Sequence, residues 1–181
     1  MLAYVYLIFA VAFRFIAPLL GSRANPALFS FTPILAALLY FGYKQPRSRI
    51  WIPVLLFAAG DLALSKFVYG FPIKPDLLFS WAFYAAAVLL GSLLKDRLNV
   101  PRLAGASLAG SVGFFLVSNF AVWAVWNMYP KTLAGLGACY VAALPFFRNA
   151  LVGDLVWGAL LFGAPLLIAH NLPQTVKARA R

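Results

Sequence analysis

The sequence predicts an all-α, polytopic membrane protein made of one integral membrane domain over residues 1–181. Two observations support this class. First, 64% of the residues are hydrophobic and only 10% are charged, whereas a soluble domain is nearer half apolar and a quarter charged. Second, most of the chain divides into apolar stretches of about 20 residues, the length that a helix needs to cross a bilayer core. We expect six transmembrane helices, of which the second is short, and an additional helix on the outer side between the fifth and the sixth.

Five stretches are long enough to cross the bilayer. They are Leu2–Leu20, Ile50–Val68, Leu77–Leu94, Leu103–Trp126 and Leu151–Ile168. The first of them lacks a basic segment before it and a clear small-residue cleavage site, so it predicts a retained helix and not a signal peptide.

The second helix is the short one, Pro33–Tyr43. A hydroxyl residue followed by proline is typical of a helix start, so Thr32 is the expected cap and Pro33 the first helical residue. The residues before it, Asn25–Phe31, are needed to reach across the membrane, and we expect them to be irregular.

The stretch between the fifth and sixth helices, Tyr129–Pro145, is apolar and helical in character, with a proline near each end. It is too short to span the bilayer and then be followed by another span. The prediction is a separate helix that dips into the outer face or lies on it.

The basic residues predict the orientation. Nine of them fall on one side of a six-helix arrangement, namely Lys44, Arg47, Arg49, Lys95, Arg97, Arg102, Lys177, Arg179 and Arg181. Five fall on the other, namely Arg23, Lys66, Lys74, Lys131 and Arg148. Cytoplasmic loops carry the excess of Lys and Arg, so both termini are expected in the cytoplasm of a bacterium, with the protein in its cytoplasmic (inner) membrane.

The net charge of +11 raises the question of nucleic acid as a partner. The charges lie mainly in short loops and the tail, and the chain has no RNA-binding motif and no basic arm. The expected partner of these charges is therefore the lipid bilayer, and not nucleic acid.

Four polar residues from four helices converge on one level in the outer half of this arrangement: Arg14, Asp61, Asn119 and Asp154. Ionisable groups inside a membrane normally face the bundle interior with a partner. We expect Arg14 and Asp61 to form a supporting ion pair, because their helices are neighbours that run in the same direction. One arginine cannot neutralise two carboxylates, so Asp154 would be protonated, or satisfied by Asn119, backbone amides or a ligand.

Aromatic residues are abundant at the same level and suit a flat, ring-containing ligand. The expected substrate-binding residues are Trp81, Tyr84, Asn119, Trp123 and Asp154, since small-molecule sites combine apolar walls with a few placed polar groups. Other interpretations remain open: Trp and Tyr also mark the lipid interface, the ion pair could simply lock two helices, and a carboxylate could relay protons.

The sequence shows no catalytic constellation, neither a nucleophile–base pair, nor metal-ligand spacing, nor a phosphate loop. We expect no enzymatic activity, no cofactor and no resident metal. The single Cys139 is either an inert buried thiol or a ligand to a metal-containing substrate.

Small residues recur at four-residue spacing in the fifth helix. They are Gly105, Ala109 and Gly113, with Ala106 and Gly110 as a second pair. Such spacing allows close helix contact, either within the bundle or with another protein.

The stretch "FSFTPILAALLYFGYKQPRSRIWIPVLLFAAGDLALSKF", Phe29–Phe67, resembles the substrate-binding S-components of energy-coupling factor vitamin transporters. The shared features are a Phe-x-Pro start and a Gly end to a short second helix, here Phe31, Pro33 and Gly42. A third helix with a small-residue–Asp–Leu step follows, here Gly60-Asp61-Leu62. The stretch "YPKTLAGLGACYVAALPFFRNALVGDL" further resembles uncharacterised bacterial six-helix membrane proteins with that fold.

The resemblance implies a micronutrient site on the outer side, formed by helices four to six and the first, third and fifth loops. It also implies docking to a transmembrane coupling subunit with paired cytoplasmic ATPases. The Ala-x-x-x-Ala pair common in the first helix of such proteins is absent, because Arg14 follows Ala10 at that spacing. A solitary transporter is therefore the alternative. Related solitary proteins for cobalamin place a Cys at the corrin cobalt, a role for which Cys139 is the candidate.

The expected function is thus uptake of a vitamin-like, ring-containing molecule, with this chain as the substrate-binding membrane component. The competing hypothesis is a non-catalytic accessory subunit of a larger respiratory or photosynthetic membrane complex. A cavity on the outer side favours the first, and a filled bundle core favours the second.

Overall fold

The computed structural model describes the backbone of residues 1–19 and 30–171, and the side chains of residues 1–16 and 30–165. Over these ranges it contains α-helices and no β-strand, which confirms the all-α class. The helices are α1 (Leu2–Leu19), α2 (Ile34–Lys44), α3 (Trp51–Ala63), α4 (Asp76–Ser92), α5 (Val100–Val125) and α6 (Leu133–Asn171). A 3₁₀ turn, Arg47–Arg49, precedes α3, and a π-helical turn, Leu64–Tyr69, extends it.

Three segments of the described chain are long and apolar enough to cross a membrane: Arg47–Tyr69, Val100–Val125 and Leu133–Pro165. The remaining apolar helices, Leu2–Ile16, Ile34–Lys44 and Asp76–Ser92, are shorter. The protein is therefore a membrane protein with transmembrane helices.

Helix α2 is short, as expected, with 11 residues against 26 in α5. Its start differs by one residue from the prediction. Pro33 is the cap, its carbonyl accepts the first helical bond from the Ala37 amide at 2.9 Å, and the Thr32 side chain makes no capping bond. The first-turn amides of α2 therefore have no side-chain cap. Of the predicted irregular segment, Phe31 is non-helical, Ser30 is helical, and residues 25–29 lie outside the described part of the chain.

The separate outer helix predicted between the fifth and sixth spans is wrong. Residues from Leu133 to Asn171 form one helix of 39 residues, with Pro145 inside it. Proline removes one helical hydrogen bond, but a membrane helix tolerates this when neighbouring helices or local adjustments satisfy the freed carbonyl. At 1.5 Å per residue α6 is about 58 Å long, so it is longer than the bilayer core is thick.

Helix α2 forms the centre of the bundle and contacts α1, α4, α5 and α6. All eight residues of its middle, Leu35 to Gly42, are buried. Its contact with α4 depends on glycine at two points. A Cβ on Gly42 would overlap the backbone of Val88, and a Cβ on Gly91 would overlap the backbone of Leu39. The two backbones therefore touch, which only a residue without a side chain permits.

The small residues of α5 divide between two faces. Ala106 and Gly110 are buried, and a Cβ on Gly110 would meet the Leu35 side chain of α2 at 2.7 Å. Gly105 and Ala109 are exposed on the other face. The second pair thus packs within the bundle, as one of the two interpretations expected.

The bundle has two distinguishable ends. At the first, Arg49 donates to the Tyr4 hydroxyl at 3.0 Å and to the Gln45 side chain at 2.9 Å, and Arg47 donates to Ser92 Oγ at 3.1 Å. The start of α1 and the ends of α2 and α4 therefore meet there, and we call this the basic end. At the opposite end, which we call the cavity end, α1, α3 and α5 finish while α2, α4 and α6 begin.

Candidate ligand-binding cavity

A cavity of about 410 Å³ opens among the helices toward the cavity end. Five helices and the π-helical turn contribute to it. The lining comprises Arg14, Ser30, Thr32, Ile34, Leu35, Tyr69, Phe83, Tyr84, Ser111, Phe114, Phe115, Ser118, Asn119, Ala143, Phe146, Phe147, Ala150 and Asp154. The site implied by the resemblance used helices four to six with the first, third and fifth loops; here α1 and α2 contribute as well, and the lining includes no residue of the loop between α5 and α6.

Helical spacing explains why these side chains share one cavity. On α5, Ser111, Phe115 and Asn119 recur every four residues, so they lie on one face. On α6, Phe147 and Asp154 are seven residues apart and also share a face. Ser111 and Asn119 are separated by about 12 Å along the helix axis, which sets the depth of the cavity.

The π-helical turn brings Tyr69 to the lining. It ends at Gly70, whose backbone has φ of 66°, and the Phe71 amide donates to the Ser65 carbonyl at 2.9 Å. A positive φ is a conformation that glycine adopts without steric penalty. Gly70 therefore closes the helix and leaves Tyr69 beside the cavity.

The expected ion pair between Arg14 and Asp61 is present. Asp61 is 4% exposed and lies behind the cavity lining, while the Arg14 side chain is 21% exposed and reaches the cavity. The Trp81 indole N–H donates to Asp61 Oδ2 at 3.1 Å, and the buried Tyr84 hydroxyl donates to the same oxygen at 3.2 Å. The charge of Asp61 is thus matched by a cation and two neutral donors.

Asp154 lies apart from that network. It is 8% exposed, lines the cavity, and has Ser111 Oγ at 2.6 Å from its Oδ2. Among the residues that the structure describes, no basic side chain pairs with it. The two Gly-Asp-Leu aspartates are therefore not equivalent, as expected: Asp61 has the arginine, and Asp154 faces the cavity.

Of the five residues expected to bind substrate, Tyr84, Asn119 and Asp154 line the cavity, and Trp81 and Trp123 do not. Trp81 instead supports Asp61. Trp123 donates its indole N–H to the Pro130 carbonyl at 2.8 Å and so fixes the loop between α5 and α6. Their expected place in the lining is corrected, because the N–H of each ring is bonded outside the cavity.

Cys139 is also outside the lining. Its side chain is 2% exposed, and its thiol lies 3.5 Å from the Asn119 carbonyl, between α5 and α6. Cys139 therefore does not belong to this cavity, and its expected role as a ligand to a metal-containing substrate stays a prediction. Within residues 1–16 and 30–165, no group of three or more His, Cys, Asp or Glu is arranged to hold a metal ion.

Sequence reasoning missed several lining residues, above all Ser111 and the phenylalanines. The Phe115 and Phe147 rings have centroids 4.6 Å apart, and Phe83 packs on Phe114 at 5.1 Å. The signal for Ser111 and Phe115 was the four-residue spacing back from Asn119. Phe147 lies seven residues before Asp154, but the helix end predicted at Pro145 placed Phe147 in a loop between two helices.

The fold and the cavity define a helical membrane protein with a ligand-sized, partly polar chamber at one end. The chain belongs to the family of unknown function DUF6580, which it matches over residues 1–175. No curated protein matches it. No solved structure matches it either.

Proposed function

We propose that the protein is the substrate-binding membrane component of a transporter for small, ring-containing, vitamin-like molecules. The cavity is the observation that carries this proposal. Its volume of about 410 Å³ falls in the range of about 300–1,000 Å³ that is usual for small-molecule sites. In the proposed arrangement six helices span the cytoplasmic membrane of a bacterium, both termini are cytoplasmic, and the cavity faces outward.

The composition of the lining supports a ligand with a ring and a polar group. Phenylalanines from three helices form apolar walls, among them Phe83, Phe115 and Phe147. Asn119 and Asp154 supply polar atoms at two depths on these walls. Apolar surface holds a ring, and the separated polar groups fix its orientation.

A binding screen with a cavity-blocking variant tests the proposal. Purified protein is screened by thermal shift against a panel of vitamins and related ring compounds, and hits are measured by calorimetry. Ser118→Trp places an indole in the cavity and should abolish binding of every hit. Val112→Trp is the matched control, because Val112 is 43% exposed on another face of α5; it should leave binding unchanged. A screen with no hit, or hits that survive Ser118→Trp, would count against the proposal.

One observation favours the accessory-subunit alternative. Gly105 and Ala109 form an exposed small-residue face on α5, and such faces allow another helix to approach closely. The same face could serve a coupling subunit of a transporter, so it does not exclude ligand binding. Gly105→Leu should release a co-purifying membrane subunit if this face docks one, while ligand binding in the cavity should be unaffected.

A further inference from the structure

Ser111 contacts two acceptor atoms although it has one proton to donate. Its Oγ lies 2.9 Å from the Ser107 carbonyl oxygen and 2.6 Å from Asp154 Oδ2. A hydroxyl carries a single donor hydrogen. Each contact is a separate two-centre hydrogen bond only when the carboxyl of Asp154 carries a proton, because then Asp154 donates to Ser111 and Ser111 donates to Ser107.

The surroundings of Asp154 lead to the same protonation state. The carboxyl is buried, and the arginine of the cavity is already paired with Asp61. An ionised carboxylate without a partner is strongly disfavoured in such a place. Asp154 is therefore a neutral acid unless a cation lies beside it.

The charges around the cavity determine which ligand would displace that proton. Arg14 and Asp61 sum to zero, so ionised Asp154 leaves the site with one negative charge. A cationic ligand neutralises it, whereas an anionic ligand leaves the negative charge in excess. The rings of Phe115 and Phe147 line the same cavity, and aromatic faces attract organic cations.

We propose that the cavity takes a ring-bearing organic ammonium ion in exchange for the proton of Asp154. This rests on the proposed function, because it names the substrate class of the same site. The O–H bond of the carboxyl breaks, the proton leaves to solvent, and the ammonium group takes its place beside the carboxylate. Ser111 then donates to Asp154 in place of Ser107.

Other titratable and charged groups near Asp154 do not replace it in this exchange. Among the residues whose side chains are described, these are Arg14, Asp61, Tyr69 and Tyr84 from the elements around the cavity, and Arg148 on its own helix. Arg14, Asp61 and Tyr84 are joined in one network, and Arg148 is exposed and outside the lining. Asp154 is therefore the carboxyl whose proton a cation would displace.

Three probes of one shape and different charge test the exchange. Tryptamine is a cation, tryptophol is its neutral analogue, and indole-3-acetate is an anion. Calorimetry on the purified protein in buffers of different ionisation enthalpy measures both affinity and proton release. We expect tryptamine to bind at least about tenfold more tightly than tryptophol and to release about one proton. In the pH range where Asp154 is protonated in the free protein, the affinity for tryptamine should fall about tenfold for each pH unit by which the pH is lowered. This is the slope that exchange of one proton requires.

Asp154→Asn separates this proposal from a purely structural role. Its amide can replace the neutral acid as a donor to Ser111, so the protein should fold, and tryptamine should lose its advantage over tryptophol and its proton release. Asp96→Asn, in an exposed loop, should behave as wild type. Equal affinity for tryptamine and tryptophol, tighter binding of indole-3-acetate, no binding of any probe, or binding without proton release would overturn the exchange. In each of these cases the proposed function would still stand if vitamin-like compounds bind in a manner sensitive to Ser118→Trp.

Discussion

At the scale of the residue, two identical tripeptides have different environments. Asp61 lies against Arg14, Trp81 and Tyr84, whereas Asp154 has Ser111 and faces the cavity. The difference follows from the neighbouring helices and not from the local sequence, because both aspartates follow Gly and precede Leu. A buried charge with a counter-ion is neutralised within the bundle, whereas one without a counter-ion is left for a proton or a ligand.

We expect Asp61→Asn to destabilise the protein and Asp154→Asn to leave its stability nearly unchanged. Removing one partner of a buried ion pair costs about 3–5 kcal/mol, and the lower part of that range applies because Arg14 is 21% exposed. Chemical or thermal unfolding in detergent measures the difference, with Asp96→Asn as the exposed control. A larger loss in Asp154→Asn than in Asp61→Asn would reverse the roles assigned to the two residues.

The sequence was informative about charged residues and less so about neutral ones. Arg14 and Asp61 could be paired in advance because a buried charge must have a partner, and four acidic residues leave few choices. Trp81 and Trp123 were wrongly predicted to line the cavity, because the direction of an indole ring depends on the acceptor to which its N–H donates. These acceptors are Asp61 and the Pro130 carbonyl. Ser111 could be found only from its spacing to Asn119 on the same helix, because its role depends on the contact with Asp154 on another helix.

At the scale of the element, glycine determines how closely α2 approaches α4. We expect Gly91→Ala to destabilise the protein, because the added Cβ would overlap the backbone of Leu39, which cannot move aside. Gly105→Ala is the matched control on an exposed helix face, where nothing lies within 4 Å of the added atom. Unfolding of the two variants in parallel measures the effect, and equal stability would show that the close contact of α2 and α4 is absent.

The continuity of α6 is a second property of an element that can be measured. Spin labels on Ala138 and Leu160 should be about 33 Å apart along one helix axis. Labels on Arg102 and Ala124, also about 33 Å apart in α5, provide a control with no proline between the labels. A distance well below 33 Å would restore the separate outer helix that the sequence predicted. That prediction relied on proline as a helix boundary, whereas Pro145 lies exposed within one continuous helix.

At the scale of the whole molecule, the apolar stretches predicted the first five helices in their order along the chain, whereas the sixth begins at Leu133 and not at Leu151, because it includes the stretch predicted as a separate outer helix. The sequence did not show that the short helix α2 would lie at the centre of the bundle. It therefore did not show where a cavity would remain between the helices. Because α2 has only 11 residues, its start at Pro33 lies beside the cavity instead of extending past it. Ile34 and Leu35 accordingly line the cavity.

The proposed topology predicts that the two ends of the bundle face opposite sides of the membrane. Cysteines at Ser48, in the basic end, and at Thr132, in the cavity end, should be labelled from opposite sides in a Cys139→Ala background. Both positions are exposed. Labelling from the same side would refute an arrangement in which α3, α4 and α5 each cross the membrane.

The most direct test of the central claim asks whether the cavity is reached from outside and occupied by a ligand. Ser118→Cys in the Cys139→Ala background puts a thiol on the cavity lining, and Val112→Cys puts one on another, exposed face of the same helix. We expect a membrane-impermeant cationic thiosulfonate to modify Ser118→Cys in intact cells, to leave Val112→Cys largely unmodified, and to be slowed by any ligand found in the binding screen. No reaction of Ser118→Cys until the membrane is permeabilised, or a rate that bound ligand does not change, would contradict an outward-facing substrate cavity.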